Sequence, residues 1–497
     1  MSDFDEDAPP EIADEDFPPG STKEKPKKRR PRLASVDGNT ALSYDEAQES
    51  ELSLLPAPFG DDALADEWVR QHGEDWRFVN KWNAWFHWNG AFWKRVDGNK
   101  HFDLARIVTR QALVWRGAHE LTRKERRAVN SASMAAAVLR QARVRKEIEA
   151  SVEQWDADPF VLATPDGVID LKIGKAIEAS REQYCTRCTS VPPKPGTPEL
   201  WFRCLQRWFG CDETLIRYAQ FFAGYCCTGD TREKMFLFIH GPSDSGKSTF
   251  VEVITAILGT YAQSASMDTF TENKHERHST ELAELAGARF VAAPETAEGT
   301  RWNQSRINAI TGKDRIRARF MRQDNFEFTP QFKLLVYGNN TPHIKNVDGA
   351  MRRRLHILPF PHSIPREEQE DGLDALLRHE YPQILQWMIE GCLGWQDCQG
   401  LTMPEAVSEA TNQYLESEDS FGAWVDERLT RKVSAFALAS DLYNDYKKYT
   451  EQAGDSTLGS KRFSQQMEQR GFSRARSTDY RRNRGFLGCE LKPVFGS

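Results

Sequence analysis

The stretch GPSDSGKST at 241–249 constrains this chain more than any other, because it has the G-x-x-x-x-G-K-S spacing of a phosphate-holding loop. The flanks are those that the spacing needs. A strand-like run, MFLFIH, precedes it, and an amphipathic helical pattern follows with Phe250, Ile254, Ile257 and Leu258 on one side. A glycine-rich turn between strand and helix aims backbone N–H groups from a helix N-terminus at an anion. Gly241, Pro242, Ser243, Asp244, Ser245, Gly246, Lys247, Ser248 and Thr249 therefore form a candidate nucleotide-binding loop. Lys247 is placed to reach the β and γ phosphates of ATP, and Ser248 to put its hydroxyl on Mg²⁺.

Such a loop says only that a nucleoside triphosphate binds, so the downstream residues must decide between kinase, GTPase and motor. RFVAAPET at 289–296 reads as an apolar strand ending in Glu295, a carboxylate expected beside the loop's own strand, where it would polarise an attacking water. KLLVYGNNTP at 333–342 reads as a second strand ending in Asn339, whose amide would orient the same water or sense the γ phosphate. MRRRLHILPF then supplies Arg352, Arg353 and Arg354 before a further apolar run, and an arginine there would reach a neighbouring subunit's ATP. Each feature alone is common on protein surfaces; the order after the loop is what carries weight.

The 497 residues suffice for two or three folded units plus tails. Residues 1–58 are rich in Pro, Asp, Glu and Ser, with an acidic tip and the basic run KEKPKKRRPR, and read as a disordered tail. Between 59 and 198 lies an α+β unit, with seven of the fourteen tryptophans between Trp68 and Trp115. In it WFHWNGAFWKRVDGN reads as a hairpin turning at Asn89-Gly90, with Phe86, Trp88 and Trp93 on one face. Those rings either stack on single-stranded bases or fill a small core, the commoner role. WDADPFVLATPDGVIDLKIGK reads as two short strands around a Pro-Asp-Gly turn. From 199 to 417 strand-like and helical patterns alternate, which is the signature of a parallel α/β sheet. From 418 to 497, LASDLYNDYKKYT and KRFSQQMEQR read as helices and the Arg-rich stretch with Gly485 and Gly488 as a basic hairpin, an order that suits a winged helix.

A formal net charge of −7 gives no global attraction to nucleic acid, so DNA binding must come from local basic patches. Two exist, with eleven Lys or Arg between Arg106 and Lys146 and six Arg between Arg470 and Arg484, and a solvated surface is the plainer reading of each. No apolar run is long enough to span a bilayer, and the acidic start lacks the form of a secretory signal. A cytoplasmic setting, with nine reduced cysteines, is expected.

The series GPSDSGKST, AELAGARFVAAPET, NAITGKDRIRARF, FKLLVYGNNTP and GAMRRRLHILPF resembles motifs A, B, B′, C and the arginine-finger segment of superfamily 3 helicases, in particular the phage, plasmid and poxvirus primase-helicases. DPFVLATPDGVIDLKIGK and RYAQFFAGYCCTGDTREKMFLFIHG are similar to the family's amino-terminal domain, and the C-terminal unit to its winged-helix appendage. The resemblance implies an α/β fold with an AAA+-like P-loop ATPase core, an α+β amino-terminal domain and a C-terminal winged helix. It also implies a ring, usually a hexamer, that uses ATP and Mg²⁺ to track 3′ to 5′ along single-stranded and forked DNA during replication of a phage, plasmid or integrated element in a bacterial host cell. By the same resemblance Lys247, Glu295, Asn339, Arg353 and Arg354 are catalytic, Ser248 and Glu295 hold the metal, and Lys313 sits at the pore hairpin. The residues after it add Arg315, Arg317 and Arg319, which alternate with Ile316, Ala318 and Phe320 and would share one face of a strand, a row suited to phosphates. Two departures stand out. Position 294 is Pro where relatives carry a polar or acidic side chain, which leaves the metal to Ser248, Glu295 and water and makes room for slow hydrolysis. Longer relatives carry a primase domain ahead of this region, for which the tail leaves no room, so a helicase without primase activity is expected, with a separate primase or other replication proteins as candidate partners.

Two weaker signals complete the reading. Cys185-x-x-Cys188 has the spacing of half a zinc site, with no second Cys or His pair at a matching distance, and His275 and His278 lie one helical turn apart.

Overall fold

The architecture follows from one central sheet whose strands are apolar on both sides. In the computed structural model, which describes residues 59–115, 118–272, 280–295, 300–320, 324–344, 347–453, 457–477 and 483–492, the tail at 1–58 and the pair His275 and His278 lie outside the described residues.

The chain enters through helix α1 (Asp61–His72), the antiparallel sheet β1 (Trp76–Val79), β2 (Ala84–Trp88) and β3 (Trp93–Arg95), and helices α2 (Lys100–Trp115), α3 (Arg123–Val129) and α4 (Ala132–Ala142). The hairpin differs from its expected form. Trp88 pairs with Trp93, so the turn spans four residues rather than two. The Asn89 side chain closes it by accepting from the backbone N–H groups of Ala91 and Phe92, at 3.0 and 2.8 Å. The register moves by an even step, so Phe86, Trp88 and Trp93 still share a face. That face is core. All three rings are buried with Trp155, and Tyr184 packs against them, which takes them away from any base.

A second small sheet, β4 (Val161–Thr164), β5 (Gly167–Asp170) and β6 (Lys175–Ile177), turns at Pro165-Asp166 as the sequence implies and adds a third strand that it did not. Helices α5 (Glu199–Trp208) and α6 (Glu213–Cys227) lead into the central sheet: β7 (Phe236–His240), helix α7 (Lys247–Leu258), β8 (Ala262–Ser264), helix α8 (Thr280–Glu284), β9 (Phe290–Pro294) and helix α9 (Gln304–Thr311). The small hairpin β10 (Ile316–Ala318) and β11 (Phe326–Phe328) comes next. Then follow β12 (Lys333–Gly338), helix α10 (Gly349–Arg354), β13 (Leu355–Pro359) and helices α11 (Leu373–Asp397) and α12 (Glu405–Ser417).

The five long-range strands run parallel in the order β13-β7-β12-β9-β8. Parallel sheets are covered on both faces, and the alternation shows it. Leu237, Ile239, Ala292, Leu335 and Leu358 join one core with Trp201, Trp208 and Phe250. Phe236, Phe238, Val291, Val336 and Ile357 join another with Trp302, Ile307 and Leu415 on the opposite face. Glu295 was expected beside the loop's own strand, and this is corrected: β12 lies between β7 and β9. All three strands point the same way, so their carboxyl ends still meet at one edge.

The C-terminal segment forms helix α13 (Ser420–Arg428), β14 (Leu429–Leu438), helices α14 (Ala439–Ala453) and α15 (Ser460–Gln469), and the hairpin β15 (Ser473–Arg476) and β16 (Arg484–Leu491). Its sheet runs β14-β16-β15 over a core of Trp424, Tyr446, Phe463 and Phe486. The two helices and the hairpin were legible. β14, which has a register shift between Lys432 and Phe436, was not.

Candidate active site

A cleft of about 480 Å³ opens where β7, β9 and β12 end, lined by Ser243, Asp244, Lys247, Ser248, Pro294, Glu295, Tyr337, Gly338, Asn339 and Asn340. The loop from Gly241 to Gly246 joins β7 to α7, and its glycines answer to sterics. A Cβ at Gly246, whose φ is +92°, would stand 2.0 Å from the indole nitrogen of Trp208, and one at Gly241 would stand 2.1 Å from the Phe360 carbonyl oxygen. The loop is also pinned from behind by the chain that follows β13: Ile364 N–H donates to the Asp244 carbonyl at 2.8 Å and the Ser363 hydroxyl to the Ser243 carbonyl at 2.9 Å.

Lys247 is 7% exposed, and its ammonium donates to the carbonyls of Gly241 and Pro242, at 2.9 and 2.5 Å, and to Ser245 Oγ at 3.1 Å. Burial pulls its pKa down, and the Asp244 and Glu295 carboxylates pull it back up. Ser248 is exposed on the first turn of α7 and Thr249 half-buried behind it. Across the cleft Glu295 Oε2 accepts from Asn340 N–H at 2.7 Å. Gly338 makes that approach possible, since a Cβ there would meet Glu295 Oε2 at 2.0 Å. Asn339 Nδ2 donates to Ser243 Oγ at 3.2 Å, which links the end of β12 to the loop.

His240, the last residue of β7, escaped the sequence reading. Its Nε2 lies 3.1 Å from the Asn339 carbonyl oxygen, and burial lowers its pKa, with Lys247 adding to the effect. No spacing rule marks it, because a strand-terminal histidine has no signature of its own.

The donors facing the cleft are hard oxygens, the Ser248 hydroxyl and the Glu295 carboxylate, a set that suits Mg²⁺ with water completing its shell. Pro294 lines the same wall and contributes no ligand. The described Cys185 and Cys188 are buried thiols with pKa values pushed up to about 12, mainly by burial. Among the described residues no cluster of three or more His, Cys, Asp or Glu could hold a metal.

The arginines lie elsewhere. Arg352, Arg353 and Arg354 end α10 just before β13 begins, level with Phe236 and not with His240. At about 3.3 Å per residue, the length of β13 sets them roughly 16 Å from the edge that carries the cleft. Arg354 is half-buried and tied down, donating to Thr311 Oγ1 at 2.9 Å and to the Ala350 carbonyl at 3.1 Å. The Arg353 side chain is exposed and makes no hydrogen bond or ion pair with another described residue. Lys313, Arg315, Arg317 and Arg319 are all exposed, while Ile316 and Ala318 are buried, so the alternation holds through β10. Arg315 lies 4.0 Å from Glu327 across the hairpin. Lys313 adopts φ +69° in the turn between α9 and β10 rather than on the hairpin itself.

Comparison with known proteins gives two family matches. One family, described as D5 N terminal like, matches residues 62–210, and a family of unknown function matches residues 239–354. Among curated proteins, "Putative helicase L207/L206" of Acanthamoeba polyphaga mimivirus is 24% identical over 320 residues, 59% of this chain and 33% of that protein. "Putative helicase 022R" of Frog virus 3 is 26% identical over 262 residues, 48% of this chain and 26% of that protein. The chain resembles the viral primase-helicases. It spans a third or less of the length of these curated relatives. A solved structure, the A form apo structure of the NrS-1 C terminal region, aligns over 87% of this chain and 99% of its own with 9% identity and a TM-score of 0.48. No described helix is long and apolar enough to cross a membrane.

Proposed function

We propose that this chain is an ATP-driven motor on DNA, a ring-forming helicase with 3′ to 5′ polarity that serves replication of a mobile or viral element. The observation that carries the reading is the separation of two half-sites. Lys247, Ser248, Glu295 and Asn339 line one cleft, while Arg353 and Arg354 stand at the opposite edge of the same sheet. No single chain brings them together, so the arginines serve a cleft in a neighbouring copy, which is what an ATPase ring requires. In this reading the loop holds the phosphates of ATP, Ser248 and Glu295 hold Mg²⁺, and the ion offsets the charge on the phosphoryl group in transfer. Glu295 also polarises the attacking water, and Asn339, fixed to Ser243, keeps the water in line. Lys313, Arg315, Arg317 and Arg319 offer an exposed basic row for the phosphates of single-stranded DNA. The helix order and basic hairpin of the C-terminal segment support a winged helix that engages the fork.

A second reading rests on Pro294. Its place on the cleft wall, where a further metal ligand would sit, favours an ATP-gated initiator or loader that binds and melts DNA without travelling. One set of assays decides. ATP turnover is measured with and without single-stranded DNA, for the wild-type chain and Glu295→Gln, followed by unwinding of a 3′-tailed duplex. Stimulated turnover that the substitution removes, together with strand separation, supports the helicase. DNA binding with negligible turnover supports the initiator.

A further inference from the structure

Two adjacent carboxylates, Glu418 and Asp419, occupy the junction between α12 and α13, where the ATPase sheet gives way to the C-terminal segment. Both side chains are only 12% exposed, which is unusual for acidic residues in a linker and calls for partners. Their partners come from three directions.

Glu418 looks back toward the cleft. It accepts from Ile344 N–H at 2.7 Å, and its two oxygens lie 3.2 and 3.3 Å from His343 Nδ1. His343 and Ile344 lie just beyond Thr341 and Pro342 in the segment that begins with Asn339 and Asn340, the residues after β12 that touch Ser243 and Glu295. The same segment is held again one helical turn earlier, where the Tyr414 hydroxyl donates to the Pro342 carbonyl. Trp302 closes this layer, donating through its indole to Tyr414 at 3.2 Å and through its backbone to the His343 carbonyl at 3.0 Å.

Asp419 looks the other two ways. Both its oxygens accept from Arg470 Nη2, at 2.6 and 2.5 Å, and Arg470 is the C-cap of α15 in the C-terminal segment. Its Oδ2 is also 3.6 Å from Arg352 Nη2, on the short helix that carries Arg353 and Arg354. One oxygen further accepts from Gly422 N–H at 2.9 Å and so caps α13. The Arg470 grip is short and charge-assisted, while the Arg352 contact is longer and half in solvent, so Asp419 is held more tightly to the C-terminal segment than to α10. The α10 helix is six residues long and is otherwise restrained on this side by the contact of Arg354 with Thr311.

We propose that Asp419 is a positioning residue that couples DNA engaged by the C-terminal segment to the arginines of α10, while Glu418 fixes the segment behind Asn339. The inference rests on the motor reading above: the C-terminal segment binds DNA, Arg470 moves with it, and Asp419 carries the movement to the finger helix. Neither carboxylate touches nucleotide; both act through other residues.

The test uses the full chain and Asp419→Asn. Asparagine keeps the cap on Gly422, because it remains a good N-cap acceptor, but it removes the charge that holds Arg470 and Arg352. ATP turnover is measured with and without an oligo(dT) strand, and oligo(dT) affinity with and without nucleotide. The expected result is basal turnover within about twofold of wild type, with loss of the DNA stimulation, for which couplings of roughly 5-fold or more are typical. Because binding linkage is reciprocal, the dependence of oligo(dT) affinity on nucleotide and that of nucleotide affinity on oligo(dT) are one coupling, and both should vanish in the variant. Arg470→Gln breaks the grip on Asp419 from the other side and leaves the Gly422 cap untouched, so it serves if Asp419→Asn unfolds. A purely structural role would lower basal turnover and melting temperature and leave the stimulation ratio alone. A variant that keeps full stimulation and nucleotide-dependent DNA affinity overturns this inference alone, whereas a wild-type chain without DNA-stimulated turnover overturns the motor reading and this inference with it.

Discussion

Gly338→Ala separates catalysis from folding at this site more cleanly than removal of any charged group. Gly338 ends β12 with an ordinary backbone conformation, so alanine meets no φ penalty there; the conflict is purely spatial. The new Cβ would stand 2.0 Å from Glu295 Oε2, 2.4 Å from its Cβ and 2.9 Å from its Cδ. Rotating the carboxylate away relieves the first and last of these contacts but not the second, since a Cβ moves only with its backbone. The ends of β9 and β12 must then part by about 1 Å to reach ordinary contact. Overpacking of this kind costs about 1–3 kcal/mol, offset by up to about 1 kcal/mol from the stiffer unfolded chain, so a net loss of roughly 1–2 kcal/mol in stability is expected. Catalysis suffers more. A displacement of about 1 Å in a positioned group costs on the order of 100-fold, or about 3 kcal/mol of barrier. Single-turnover ATP hydrolysis, run beside a fluorescence measurement of nucleotide affinity, should show that loss with affinity changed by less than about threefold, because Lys247 and the loop lie on the other wall. Hydrolysis within threefold of wild type, in a chain whose Glu295→Gln variant is inactive, would refute the claim that the Gly338 gap sets the position of Glu295.

Four further outcomes are expected. Gly246→Ala meets both a left-handed φ and the Trp208 indole, so a loss of about 2–5 kcal/mol in thermal or denaturant unfolding should accompany loss of ATP binding. Arg353→Ala should abolish turnover with stability unchanged, whereas Arg354→Ala should also lose about 1 kcal/mol of stability with the Thr311 contact; mixing either with Lys247→Ala subunits tests action in trans, since a true finger supplies its partner's cleft. Lys313→Ala and Arg317→Ala should each lower the slope of log affinity for single-stranded DNA against log salt by roughly 1 if they contact phosphates. The His356 imidazole, buried beside Tyr218, has its pKa lowered to about 4 by burial. The unfolded chain therefore binds the proton first as pH falls, and about 3 kcal/mol of stability should be lost between pH 6.5 and 4; thermal melting against pH should show a flatter acid limb in His356→Gln.

What the sequence disclosed, and what it hid, divides by distance along the chain. The loop at 241–249 was readable because its strand, turn and helix are contiguous, and the packing of Phe250, Ile254 and Ile257 needs only helical spacing to foresee. The strands carrying Glu295 and Asn339 were readable for the same reason, yet their order was not. That β12 inserts between β7 and β9 depends on how the crossovers pack, and nothing in RFVAAPET or KLLVYGNNTP records it. The hairpin at Trp88–Trp93 failed in the opposite way: Asn89-Gly90 signals a two-residue turn, but the Asn89 side chain closes a wider one and places Trp93 opposite Trp88. Gly338 looked like any glycine at the end of a strand, and its reason is a carboxylate 43 residues earlier in the chain. Glu418 and Asp419 belong to no local motif, and their partners lie 74 and 51 positions away.

The site also limits what Pro294 can mean. Tyr337 pairs with Pro294 across β9 and β12, so the residue holds the last rung of the strand next to Glu295. A proline there fixes φ and offers neither donor nor ligand, which sharpens the direction in which the following carboxylate leaves the strand. Two consequences oppose each other: Mg²⁺ loses a possible ligand, and Glu295 gains a stiffer base. If the metal term dominates, Pro294→Asp should strengthen Mg²⁺ dependence and raise turnover. If the stiffness dominates, the same change should lower turnover at saturating Mg²⁺, because the carboxylate becomes free to leave the position that Asn340 and the Gly338 gap define. The distances favour the second outcome, since Glu295 is already held within hydrogen-bond reach of Asn340. A rise in turnover above wild type at saturating Mg²⁺ would show that the missing ligand is what limits this cleft.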